Sequence, residues 1–88
     1  MSGSVASISL EEVVGSVSPP IGVKLKRIDQ GLDHSGDHAV WIIFAASKRV
    51  PLTKRRVALL ENFASAVRDR VLNIHSGYLP YIRFVEMK

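Results

Sequence analysis

Ala39-Val40-Trp41-Ile42-Ile43-Phe44 is an unbroken apolar run in which five of the six side chains are β-branched or aromatic. With no polar alternation, the run reads as a central strand buried on both faces. Even extended to Ala46 it is far too short to cross a bilayer as a helix. The rest of the domain is expected to assemble around it.

Immediately upstream, Gly31 and Asp33-His34-Ser35-Gly36-Asp37-His38 supply turn chemistry, because Gly accepts positive φ and Asp and Ser bond nearby backbone. Before that turn, Ile21, Val23 and Leu25 alternate with Gly22, Lys24 and Lys26, which predicts a strand with one wet face from Ile21 to about Ile28. Pro19 and Pro20 end whatever precedes them. Ser9-Leu10-Glu11-Glu12 has the spacing of a capping box and predicts a short helix to about Val17. Residues Met1 to Ser7 are small and polar and are expected to be mobile.

Downstream, Val57, Leu60, Ala64, Val67, Val71 and Ile74 recur at spacings of three and four, and Leu59, Phe63 and Ala66 widen the same stripe. This is the longest predicted helix. Its other face carries Lys54, Arg55, Glu61, Asn62, Ser65, Arg68, Asp69 and Asn73, and Gly77 is a candidate for a left-handed cap. After Pro80, Tyr81 to Val85 reads as a last strand with Ile82 and Phe84 on one face and Tyr81, Arg83 and Val85 on the other. The order helix, strand, strand, helix, strand implies one α+β domain over residues 1–88. One antiparallel hairpin plus a strand reached across the long helix makes a three-stranded sheet with helices packed on one face.

The segment from Leu59 to Val71, leading through Leu79-Pro80-Tyr81-Ile82-Arg83-Phe84, resembles the second half of ribosome-binding factor A, a small bacterial protein of type II KH-like fold. The resemblance covers about half the chain and implies RNA binding. The family's Ala-x-Gly, whose glycine marks a helix kink, is replaced by Ala64-Ser65-Ala66, so the kink is not carried over. The chain also resembles small bacterial proteins of unassigned function that place Asp-x-Ser/Thr-Gly-Asp/Glu before an apolar strand, matched by Asp33 to Asp37. They end in Pro-Tyr-apolar-Arg-Phe, matched by Pro80 to Phe84.

Eighty-eight residues allow one small core, and the 47% hydrophobic and 23% charged composition is that of a folded chain. Cysteine is absent, which excludes disulfides and thiolate metal sites and fits a reducing compartment. No apolar stretch follows the N-terminus, so neither export nor a membrane span is expected, and a cytoplasmic location is. The formal charge of +4 favours acidic partners, nucleic acid foremost.

That charge is concentrated. Five of the nine residues from Lys48 to Arg56 are basic: Lys48, Arg49, Lys54, Arg55 and Arg56. They sit where the long helix begins, after a Thr53 cap, and each cation at a helix N-terminus costs about 0.3–1 kcal/mol. A helix start with free N–H groups and converging cations is a seat for phosphate. The plainer reading is a solubilising loop, and no aromatic residue within the run offers a stacking surface. Helical rotation turns Arg56 toward the apolar stripe, so it is expected to be partly structural, its stem buried and its head snorkelling to water. Lys24, Lys26 and Arg27 either extend the patch or guard an exposed strand.

The remaining candidates have simpler explanations. Asp33, His34, Asp37 and His38 are metal-ligand types, but four so close in one turn seldom meet a coordination geometry, and no metal is assigned. No phosphate loop, nucleophile elbow or cysteine nucleophile is present, so no catalytic residue and no cofactor are assigned. Trp41 is expected in the core, and His75 is expected to oppose the helix dipole. Arg83 is left facing Asp29, Asp37, Glu86 or a partner chain. The expectation is a non-enzymatic domain contacting nucleic acid, RNA in particular, through Lys48, Arg49, Lys54, Arg55 and Arg56. The alternative is a protein–protein interaction module, either a homodimer or an accessory subunit, without a nucleic-acid role.

Overall fold

The computed structural model describes residues 9–75 and 77–87, so the segment expected to be mobile, Met1 to Ser7, lies outside the described residues. Ser9 opens α1, Leu10–Gly15, by accepting a 3.1 Å hydrogen bond from the Glu12 N–H and donating one of 3.2 Å to Glu12 Oε1. The helix ends two residues before the expected Val17. There the Ser16 hydroxyl donates to the Val13 carbonyl at 2.6 Å and ties off the last turn.

Strand β1 runs Val23–Leu32 and β2 runs His38–Ala46, paired antiparallel as a hairpin. Helix α2, Lys54–Ile74, crosses over to β3, Leu79–Glu86, which pairs parallel with β2. The sheet order is β1-β2-β3, so the apolar run forms the central strand. Val40, Ile42 and Phe44 from β2 join Leu10, Val13 and Val14 of α1 and Leu60, Phe63, Val67 and Val71 of α2 in one core, which places both helices on one face. Phe44 anchors it, edge-on to Phe63 at 4.8 Å between ring centroids and stacked on Phe84 at 5.8 Å. Truncating so buried an aromatic residue costs about 3–5 kcal/mol.

The first strand differs from its expected limits of Ile21 to Ile28. Ile21 is highly exposed in a turn, and Gly22 adopts φ +80°, so pairing starts at Val23. Leu25 pairs with Phe44 and Arg27 with Ile43, which leaves Lys26 as the extra residue of a β-bulge. The bulge flips the alternation, so Leu25 and Ile28, three apart, both pack on the core. Gly31, read as a turn residue, is paired in β1 opposite Ala39. Strand β3 likewise starts at Leu79, two residues before the expected Tyr81.

On α2 the buried positions are Arg56, Leu60, Phe63, Val67 and Val71, a narrower seam than the predicted stripe. Val57, Leu59, Ala66 and Ile74 are exposed. Gly77 does not hold the positive φ expected of a left-handed cap; among the described residues only Gly22 and Gly36 do. Among the described residues no helix is long and apolar enough to cross a membrane.

Candidate nucleic-acid interface

Because β2 and β3 are parallel, their carboxyl ends lie side by side, and the chain leaving β2 passes directly through residues 47–53 into the N-terminus of α2. In sheets of parallel strands this is where ligands settle, outside the carboxyl ends and against a helix start. Hydrogen bonds tie the connection to the segments beside it. Ser47 N–H donates to the Gly22 carbonyl at 2.7 Å, Arg49 N–H to Ser47 Oγ at 3.2 Å, and Met87 N–H to the Ala46 carbonyl at 2.8 Å. Thr53 caps α2, its Oγ1 accepting from the Arg56 N–H at 3.1 Å. The N–H groups of Lys54 and Arg55, one and two residues into the helix, lack intrahelical acceptors.

Four of the five basic residues surround this end and are exposed: Lys48 and Arg49 in the turn after β2, Lys54 and Arg55 in the first turn of α2. The first turn of α2 contains no acidic residue. Lys48 Nζ lies 3.5 Å from Glu86 Oε2 in an exposed ion pair, a geometry worth little in water. Among the described residues no ion pair neutralises Arg49, Lys54 or Arg55.

Arg56 does not belong to that exposed set. The residue is only 7% exposed, and its head does not snorkel to water as expected: Nη2 is buried, with no hydrogen-bond partner among the described residues. It turns under the loop toward β1, where a Cβ on Gly22 would stand 3.3 Å from Nη2 and 2.9 Å from Val50 Cγ2. The rotation that directs residue 56 to the apolar seam also takes it out of the surface patch. Arg56 lines an open cleft of about 420 Å³ whose walls include Val50, Leu52, Leu60, Phe84 and Val85.

The sheet face away from the helices continues from this end. Register places Lys24, Ala45 and Val85 in one row, Arg27, Ile43 and Arg83 in the next, and Asp29, Trp41 and Tyr81 in the third. Ala39, Ile43 and Ala45 of the central strand are buried there although they point away from the helices. Trp41, expected in the core, lies on this open face instead and stacks on Tyr81, with ring centroids 5.8 Å apart and planes at 18°. A Cβ on Gly31 would meet Trp41 Cζ3 at 3.6 Å, ordinary contact, so the indole edge rests over β1. Arg27 Nε pairs with Asp29 Oδ2 at 3.0 Å, and Arg83 has no ion pair among the described residues. This aromatic pair was not legible in a run of six apolar residues. Its only signal is that Trp41 and Tyr81 share a row once β2 and β3 are known to be parallel.

The Asp33 loop is structural. Asp33 Oδ1 accepts from Ser35 N–H at 2.9 Å and Asp37 N–H at 3.0 Å, its Oδ2 accepts from the Tyr81 hydroxyl at 3.0 Å, and Gly36 takes φ +85°. These bonds, the one from Asp37 N–H foremost, hold the Asp33 carboxyl below its ordinary pKa. Among the described residues no three His, Asp or Glu side chains come together as a metal site. Comparison with protein-family models, with curated proteins and with solved structures returns no match to this chain.

Proposed function

We propose that this chain is a non-enzymatic nucleic-acid-binding domain that grips phosphates around the N-terminus of α2. The observation that carries the reading is the set of four exposed cations, Lys48, Arg49, Lys54 and Arg55, gathered at a helix start with no acidic residue in its first turn. Lys54 and Arg55, in the first turn, work against the helix dipole, and a bound phosphate reverses that sign by satisfying both the charges and the free N–H groups. The open sheet face supplies what the basic run lacks. Tyr81, 38% exposed and stacked on Trp41, lies on the face that Lys24, Arg27 and Arg83 line toward the same end. Aromatic rings beside a cationic track favour single-stranded over duplex ligands, and the resemblance of residues 59–84 to ribosome-binding factor A favours RNA.

A protein-interaction module would draw on exposed apolar surface. On α2, however, the exposed Val57, Leu59, Leu72 and Ile74 sit at about 0°, 200°, 60° and 260° around the helix and form no single seam. The test is retention and binding. Replacing Lys48, Arg49, Lys54 and Arg55 with Ala should weaken binding to single-stranded RNA of any sequence and lower the salt slope by up to about 3, given roughly 0.7 per neutralised phosphate. Unchanged polyanion retention in that variant would reject the proposal, and a stable dimer by sedimentation would favour the interaction module.

A further inference from the structure

Arg56 occupies a position of the α2 seam whose other members, Leu60, Phe63, Val67 and Val71, are all apolar. A guanidinium cannot shed its proton to escape burial. It therefore carries the full penalty of a buried charge unless something of opposite sign arrives. No described residue supplies that charge. Glu86, the one carboxylate lining the same cleft, is engaged with Lys48 at 3.5 Å, and Nη2 has no partner. Gly22, at φ +80°, lets the backbone pass close beside Nη2, where any Cβ would stand 3.3 Å from Nη2 and 2.9 Å from Val50 Cγ2.

We propose that this cleft is a seat for a terminal phosphate monoester, held between the Arg56 guanidinium and the N-terminus of α2, with the attached nucleoside against Val50, Leu52, Phe84 and Val85. The cleft's volume of about 420 Å³ falls in the range of small-molecule sites, and its mainly apolar wall suits a phosphate bearing an organic body better than bare inorganic phosphate. A monoester, which carries close to two charges and sits at the end of a chain, can reach the buried guanidinium. A diester inside a strand is hindered on both sides. The same chemistry comes from the 5′ end of a strand or from a free mononucleotide; the strand-end form rests on the nucleic-acid reading above, and the mononucleotide form does not.

The experiment measures binding of two single-stranded RNA octamers of one sequence, 5′-phosphorylated and 5′-hydroxyl, with adenosine 5′-monophosphate as competitor and as a thermal-shift ligand. Charge-assisted hydrogen bonds predict about ten- to a hundredfold tighter binding of the phosphorylated strand. Competition by the mononucleotide assigns the seat to free nucleotides, and selective binding of the phosphorylated strand alone assigns it to strand ends. Arg56→Met should abolish the difference and, without ligand, melt at the same temperature or higher, because a lone buried charge is replaced by an apolar chain. Leu52→Glu, at a position 75% exposed, leaves Arg56 in place but repels the dianion and should abolish the difference as well. Equal binding of both octamers together with no mononucleotide stabilisation overturns the inference, as does a lower melting temperature of ligand-free Arg56→Met. If the octamers bind equally but the four-alanine variant loses both, only the seat is rejected. If the mononucleotide binds through Arg56 and no octamer binds, the seat stands and the nucleic-acid reading falls.

Discussion

The Tyr81 hydroxyl donates a 3.0 Å hydrogen bond to Asp33 Oδ2, reaching from β3 across the N-terminal end of β2 to the hairpin tip that follows β1. One contact thus fastens all three strands at the end of the sheet opposite α2's N-terminus. It also sets two opposite pH dependences. Asp33, held low by the Asp37 N–H first and then by the Tyr81 and Ser35 bonds, stabilises the fold above its unfolded value near 3.8, and that contribution is lost as pH falls through the lower folded value. Tyr81 is raised above 10.0, chiefly by its bond to Asp33, so its contribution is complete below pH 10 and is lost as pH rises through the higher folded value. Tyr81→Phe should therefore flatten the alkaline limb of a denaturation-versus-pH curve and weaken the acid limb without removing it, because the two backbone bonds to Asp33 remain. An alkaline limb identical to wild type would show that the bond does not form in solution.

The start of α2 should respond to charge and to capping in opposite senses. Thr53→Ala removes the hydroxyl that accepts the Arg56 N–H and should destabilise by about 1 kcal/mol. Lys54→Glu replaces a cation opposed to the helix dipole by an anion that favours it and should stabilise by about 0.5–2 kcal/mol at low salt, while weakening retention on a polyanion. Urea denaturation and salt elution of the same variants read both effects. A Lys54→Glu variant that loses stability would contradict the electrostatic account of the helix start.

Two glycines predict contrasting alanine substitutions. At Gly22, φ +80° and a Cβ position 2.9 Å from Val50 Cγ2 make Ala both strained and crowded, so a loss of about 1–3 kcal/mol is expected. Gly15, the last residue of α1, has nothing within 4 Å of the point where a Cβ would stand and no positive φ, so Ala should gain about 0.5–1 kcal/mol. Denaturant midpoints of the two variants should move in opposite directions.

Much of this arrangement is legible in local sequence. The run from Ala39 places the central strand because it is short, lies next to turn signals and is rich in β-branched and aromatic residues, which favours a strand over a buried helix. Ser9 and Thr53 mark their helix starts by side-chain chemistry that acts within three residues. The cations of the candidate interface are also close neighbours in the chain, so clustering of Lys48, Arg49, Lys54 and Arg55 needs no tertiary knowledge. What escapes is whatever depends on pairing. The bulge at Lys26 alters the face of every later residue of β1, yet its local pattern resembles ordinary alternation. A uniformly apolar strand has no parity to read, so Trp41 cannot be assigned to a face before its neighbours are known. The rotation of Arg56 toward the seam follows from its position, whereas its missing partner depends on Gly22, Ser47 and Val50, which come together only in the folded chain.

The ion pair between Lys48 and Glu86 separates the proposed interface from the fold. Both side chains are largely exposed, so the 3.5 Å contact should contribute at most about 0.5 kcal/mol, and Glu86→Gln should leave the denaturation midpoint nearly unchanged. The same substitution removes the carboxylate nearest the basic end of the sheet and frees Lys48 for an incoming phosphate. Elution from a polyanion column should therefore shift to higher salt, and the salt slope of RNA binding should steepen by up to about 0.7, the share of one further phosphate contact on a single strand. Lys48→Gln is the matched control, equally mild toward the fold but expected to shift elution to lower salt. If both substitutions move elution in the same direction, residues 48 and 86 act on binding by something other than charge at this surface, and the phosphate-contacting role of the turn after β2 is rejected.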